Sequence, residues 1–265
     1  MKKYIAAAAV LGTTLCVSWD GVQAQGASNN LREFFDHRDT RVTTDNFVRA
    51  ATNIEFGKYL SLSGGVNKVL HIREPTPIDQ QPTIRMNRDT LYSMAVIDIS
   101  EGATLTLPDA GDRYVSAQIV NQDHYMNDVF LGAGTYTLDT DTFDTPFVVM
   151  IIRLLVDAGD PEDIAEVSAL QDQITLEANS AKPFITPLYD KESFEGVLQA
   201  TITLSRFSID SRNTFGPKNE VDPIRHFLGA AFGWGACRKT PPFTSRLNPT
   251  VPSANTESMF RPRFR

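Results

Sequence analysis

The chain has 265 residues, 42% of them hydrophobic, with a formal net charge of −7. That length and apolar content suffice for one large or two modest packed domains and exclude wholesale disorder. The charge is unevenly placed: residues 236–265 hold five Arg and one Lys against one Glu, a local +5, so residues 25–235 carry −13. An acidic body argues against nucleic acid and anionic membrane surfaces as partners.

The first segment reads as a signal peptide. Lys2 and Lys3 precede a short apolar run from Tyr4 to Val17, and Val22-Gln23-Ala24 matches the small-x-small rule for cleavage. The run is too short to span a bilayer, so the expected mature chain begins at Gln25, is periplasmic or secreted, and has no membrane span. Of the two cysteines, Cys16 leaves with the signal and Cys237 remains alone, so no internal disulfide is expected.

Residues 44–62 have helical spacing, with Thr44 as the expected N-cap and Gly64-Gly65 as the stop. Three prolines in residues 73–83 mark an extended connector. Five short β-branched or aromatic runs follow, at 91–99, 103–107, 113–121, 129–138 and 147–156, separated by turn residues. The separators leave no room for crossover helices, so the strands are expected to be antiparallel. Asp160-Pro161-Glu162-Asp163 opens a helix expected to run to about Ala178. A second helix is expected over roughly 190–209, and a third from Asp222-Pro223 to Gly233-Trp234-Gly235. The expected class is α+β: a mainly antiparallel, jelly-roll-like β-sandwich over 40–158, flanked by helices, with a helical segment over 159–235.

Strong catalytic motifs are missing: no G-x-S-x-G, H-E-x-x-H, Walker loop or C-x-x-C occurs. Gly132-Ala133-Gly134 lacks the third glycine of a dinucleotide loop and reads as a bulge or close backbone approach. Asp139, Asp141 and Asp144 lack the Gly and Glu of an EF-hand and read as a solvated turn. Four scattered histidines give no metal site by spacing, and no cofactor is implied. His226 is expected to pack or pair with a carboxylate, while His37 and His71 lie outside any cluster.

Two polar constellations stand out. IRMNRDTLYS places Arg85, Asn87, Arg88 and Asp89 just before a strand, with Arg88, Thr90 and Tyr92 on one face. Arg offers a planar fork for carboxylate or phosphate, and Tyr a hydroxyl beside an apolar ring. NQDHY places Asp123, His124 and Tyr125 at a strand end. Extended geometry puts Asp123 and His124 on opposite faces, so His124 needs a partner from elsewhere, such as Asp89 or Tyr92. One reading is a pocket around Arg88, Tyr92 and His124 that binds a small polar or anionic molecule, with Arg85, Asp123 and Tyr125 contributing. A second is a hydrolase in which His124 is the general base, Arg88 stabilises an anion, Asp89 orients, and Ser93 or Ser116 is the nearby serine. A third is a structural, envelope-associated protein, and self-association is compatible with all three.

VTTDNFVRA, IDQQPTIRMNRDTLYS, VNQDHY, GAGTYTL, LQDQI and NEVDPIRHFLGAAFGWG, in that order, resemble the bacterial family called domain of unknown function 1254. The resemblance spans roughly 40–235, with Met86 where members often have Pro. It implies an exported protein of β-sandwich domains with accessory helices, and no established reaction. Members are usually followed by a second domain, number 1214, and continue Gly-Trp-Gly-Gly-Leu-Pro-Glu. Here the chain departs at Ala236, and a one-base shift of frame, with suitable synonymous codons, restores that continuation. Residues 236–265 are therefore expected to be an out-of-frame, disordered tail, which the gene's own DNA across these codons decides.

Overall fold

The run TLYSMAVID forms a strand with both faces covered, and its sequence is apolar on both faces for that reason. In the computed structural model, which describes residues 40–77, 87–208 and 210–235 (side chains through Ala231), this strand lies near the centre of a five-stranded sheet. The signal segment with Ala24, His37, Arg85 and the tail with Cys237 lie outside the described residues. Strand β2 (Thr90–Asp98) pairs antiparallel with β7 (Phe147–Leu155), from Thr90 opposite Leu155 to Asp98 opposite Phe147. On one side β2 carries β1 (Leu70–Ile72); on the other, β7 carries β4 (Val115–Asn121) and then β5 (Asp128–Leu131). A second sheet has the order β6 (Gly134–Leu138), β3 (Ala103–Leu107), β8 (Thr175–Ala178). Every ladder is antiparallel, and with the helices the class is α+β.

Alternation divides the large sheet into two faces. Leu91, Ala95 and Ile97 of β2, Ala117 and Ile119 of β4, and Met150 and Ile152 of β7 meet Leu105 and Leu107 of the small sheet in one core. The opposite face presents Met94, Val96, Val149 and Ile151 to Phe56 and Tyr59 of α1 (Phe47–Ser63). The far side of α1, with Phe47, Ala50, Ala51 and Ile54, packs against Phe194 and Leu198 of α4 (Lys191–Ser205) and Ala231 of α5 (Pro223–Gly235). The order of layers is thus small sheet, large sheet, α1, then α4 with α5.

Several boundaries differ from the sequence reading. Asn46, not Thr44, caps α1, while Gly64 (φ 81°) ends it as expected by donating to Leu60 O. The single strand expected over 129–138 is two strands, β5 and β6, in different sheets. The chain turns between them at Gly132 (φ 78°) and Gly134 (φ 156°), and a Cβ at Gly134 would sit 3.1 Å from the Tyr136 ring. Only glycine accepts that combination. Asp139 caps a one-turn helix, α2 (Thr140–Phe143), by accepting from Thr142 N. The helix opened by Asp160 and Pro161, α3 (Pro161–Gln171), stops seven residues before Ala178. The remainder is β8, whose alternating Thr-Leu-Glu-Ala places Leu176 against the core and pairs with β3. Tertiary pairing overrides helix propensity in that stretch.

Candidate functional site

Where β4 ends, Asn121 organises a tight turn. Its side-chain Nδ2 donates to Phe143 O (2.9 Å), and its Oδ1 accepts from the backbone N–H of Asp123 (2.9 Å) and Tyr125 (2.9 Å). Asn121 is fully buried, so the turn is anchored from inside the fold. Gln122 ties it to α1 by donating to Asn53 Oδ1 at 3.0 Å. His124 takes a left-handed backbone conformation (φ 65°) to reverse the chain, a conformation in which His is enriched.

This turn brings three sequence-flagged residues together with partners from distant elements. Asp123 Oδ1 accepts from Arg49 Nε of α1 at 2.6 Å. Both side chains are over one-third exposed, so the pair contributes little to stability. His226 of α5 is buried, with Nδ1 3.0 Å from Thr214 O and Nε2 2.9 Å from Asp123 O. Carbonyl oxygens only accept, so both contacts are hydrogen bonds when the ring carries two N–H groups. The Tyr125 ring stacks on it at 4.7 Å, with an interplanar angle of 10°.

His124 has a different environment. Its Nδ1 lies 3.2 Å from Thr52 Oγ1, and that hydroxyl already donates to Val48 O at 2.8 Å. Thr52 can therefore only accept from the ring, which fixes the proton on Nδ1 and leaves Nε2 bare. Burial, and after it the neighbouring His226, push His124 down to about 4. The expected NMR result is a neutral Nδ1–H tautomer whose ring signals stay constant as pH falls through the ordinary histidine range near 6.5 and move only near about 4. Between those values the unfolded chain binds a proton that the folded one refuses, so this group removes stability as pH falls. Ring signals titrating near the ordinary value would contradict the burial argument.

Arg49, Asp123, Tyr125, Lys218, Pro223 and Phe227 line an open cleft of about 280 Å³ between the start of α1, the turn and α5. Among the described residues the Arg49 guanidinium is engaged through Nε alone, and Lys218 has Asp144 at 4.0 Å as its counter-charge. The cleft thus holds two cationic groups, two carboxylates (Asp45 and Asp123), a phenol and the His226 ring. Among the described residues no three His, Cys, Asp or Glu side chains gather as a metal site.

The other flagged residues lie elsewhere. Tyr92 pairs with Arg153, whereas the 121–125 turn follows Asn121, which pairs with Val148, the partner of Ile97. About five strand residues, or ~17 Å, separate Tyr92 from Ile97 along β2. Arg88 Nε donates to Thr76 O at 2.8 Å, and Asp89 is exposed, its carbonyl accepting from Val156 N. Asp89 and Tyr92 therefore do not partner His124; Thr52 does. Ser93 is fully buried and lies 2.8 Å from Nδ1 of His71, while Ser116 faces Arg153. Neither serine stands beside His124, and His71, unflagged by its sequence neighbours, belongs to a buried cluster with Ser93 and Gln171.

Residues 66–139 match the family described as Protein of unknown function (DUF1254). Over this span the family resemblance is established. The DUF1254 span runs from the approach to β1 through the cap of α2, and so contains both Arg88–Tyr92 and the 121–125 turn. Arg49, Lys218 and His226 lie outside it. No curated protein matches the chain. Among solved structures, the VPA0106 protein from Vibrio parahaemolyticus is similar at 15% identity and a TM-score of 0.52, over 72% of this chain and 66% of that one. This chain therefore spans slightly less than two thirds of that protein, and the likeness is one of fold.

Proposed function

We propose that this is an exported protein that binds a small anionic molecule in the cleft between α1, the 121–125 turn and α5. The observation that carries the reading is Arg49, which donates through Nε to Asp123 and lines the cleft together with Lys218. A guanidinium fixed at one nitrogen offers its remaining donors with little entropy left to lose. Export rests on Lys2, Lys3, the apolar run and Ala24; no helix among the described residues is long and apolar enough to cross a membrane. Hydrolysis is less well supported, since a general base works best near the operating pH, and His124 at about 4 is a weak base with no serine beside it.

The test uses full-length gene product recovered from a periplasmic extract, with Gln25 expected as its first residue, and calorimetric titration with succinate and inorganic phosphate. Saturable heat is expected, with Arg49→Gln weakening the affinity about tenfold, as for a hydrogen bond to a charged group. Equal affinity in the variant, or no heat with either anion, removes the proposal.

A further inference from the structure

A second polar group sits on the α1-facing side of the large sheet, independent of the cleft. Tyr92, Arg153, Ser116 and Leu131 are direct neighbours across β2, β7, β4 and β5, so their side chains share one face in a single row. The guanidinium of Arg153 lies over the Tyr92 ring, 5.7 Å from its centroid, and donates to Gln118 Oε1 at 3.1 Å. Among the described residues no carboxylate pairs with it. Glu55, the α1 carboxylate that shares Tyr59's surroundings with Arg153, accepts from Lys58 at 2.7 Å through Oε1, while its Oε2 is buried without a hydrogen bond.

Two hydroxyls on the same face have no hydrogen-bond partner among the described residues. Ser116 is 1% exposed and Thr90, two residues before Tyr92, is 5% exposed, and neither Oγ makes a hydrogen bond. A buried hydroxyl without a partner is costly, and native proteins rarely keep one for nothing. Ser116, directly opposite Arg153, can donate to the same acceptor that an unpaired Arg would attract. Beyond this polar row the face turns apolar and open: Val129, opposite Gln118, is 45% exposed, and Leu131, opposite Ser116, is 63% exposed.

We propose that this face is a binding site for an amphipathic monocarboxylate, an acid with an aliphatic body. Its carboxylate accepts from Arg153 and from the Ser116 hydroxyl, and its apolar body lies along Val129 and Leu131. Arg153 fixes the sign of the ligand, the Ser116 hydroxyl its oxygen acceptor, and β5 the apolar remainder. A bare inorganic anion satisfies the first two requirements and leaves the β5 side chains uncovered.

The experiment follows the Nε–H NMR signal of Arg153 in the full chain, assigned through Arg153→Gln, during titration with octanoate and separately with inorganic phosphate. Octanoate is expected to shift that signal saturably, with phosphate ineffective at matched concentration. Ser116→Ala is expected to weaken octanoate about tenfold, the loss of one charge-assisted hydrogen bond. The same substitution is expected not to lower the melting temperature of the ligand-free protein, because it removes an unpaired buried hydroxyl. That combination separates a ligand contact from a structural one, and where Arg153→Gln fails to fold, Arg153→Lys supplies the assignment. An Arg153 signal unmoved by octanoate, phosphate as effective as octanoate, or full affinity in Ser116→Ala each overturns the proposal. Because the readout is confined to Arg153, a response there is distinct from any anion effect on Arg49 in the cleft.

Discussion

Replacing Asp98 with alanine is expected to destabilise the fold by about 3 kcal/mol, the cost of stranding several buried donors. Asp98 ends β2, is fully buried, and accepts from Lys182 N (2.7 Å), Ser100 N (3.0 Å) and the Ser180 hydroxyl. Its own N–H donates to Asn67 Oδ1 at 2.9 Å, and Asn67 Nδ2 donates to Ser180 O at 2.7 Å. One carboxylate thus joins the end of the central strand, the α1–β1 connection and the segment after β8. Burial pushes this carboxyl up, but the hydrogen bonds from Ser180, Ser100 and Lys182 outweigh it and hold it below the ordinary carboxylate range. A depressed folded value means the stabilisation is complete above the unfolded value near about 4 and is lost as pH falls through the folded one. Urea unfolding at neutral and acid pH checks both parts. Wild type is expected to lose stability on acidification, and Asp98→Ala to lose less, since the titrating group is gone. Identical midpoints for the two proteins at neutral pH would show that the remaining donors find other acceptors.

How far the sequence foretold this structure depends on the range of the interaction. The central strands were legible because their signal is local: LYSMAVIDI and FVVMIIRLLV are too apolar for anything but a doubly covered strand. The β5–β6 corner was hidden because VFLGAGTYTL reads as one alternating run, and only pairing shows that its halves join different sheets. At the site, alternation correctly placed Thr90 and Tyr92 on one face and singled out the NQDHY turn. It could not say which end of β2 that turn approaches, because this depends on how β4 and β7 are registered. Arg49, Lys218 and His226 come from α1, the loop before α5 and α5 itself, and nothing within one segment announces their meeting. Arg153 did leave a signal: a lone charge inside an apolar strand is expensive to bury and needs a reason. Asn121 left one too, as an Asx residue at a strand end where its side chain can cap the following turn.

Truncating Phe47 to alanine is expected to cost about 3–5 kcal/mol, the range for a buried Phe whose site cannot collapse, and to act mainly on one layer. Phe47 is fully buried at the start of α1, its ring 5.2 Å from Phe194 of α4 and 5.8 Å, edge-on, from Phe227 of α5. The same helix meets the sheet through other residues, Phe56 and Tyr59. The cavity therefore opens between α1 and the α4–α5 layer, leaving the packing of α1 on β2 and β7 in place. Phe227 and Pro223 also form a wall of the cleft, so loosening α5 moves that wall away from Arg49. Hydrogen exchange of Phe47→Ala is expected to accelerate in α4 and α5 while β2 and β7 keep wild-type protection, because stability is distributed among such units rather than shared evenly. Anion affinity in the cleft is expected to fall with it, while the octanoate response at Arg153, which rests on the sheet, persists. Phe47→Leu, which keeps most of the volume, is expected to cost less than about 1.5 kcal/mol. If exchange rises equally in the strands, α4 and α5 are not a separable layer, and the cleft depends on the whole fold rather than on the packing around one phenylalanine.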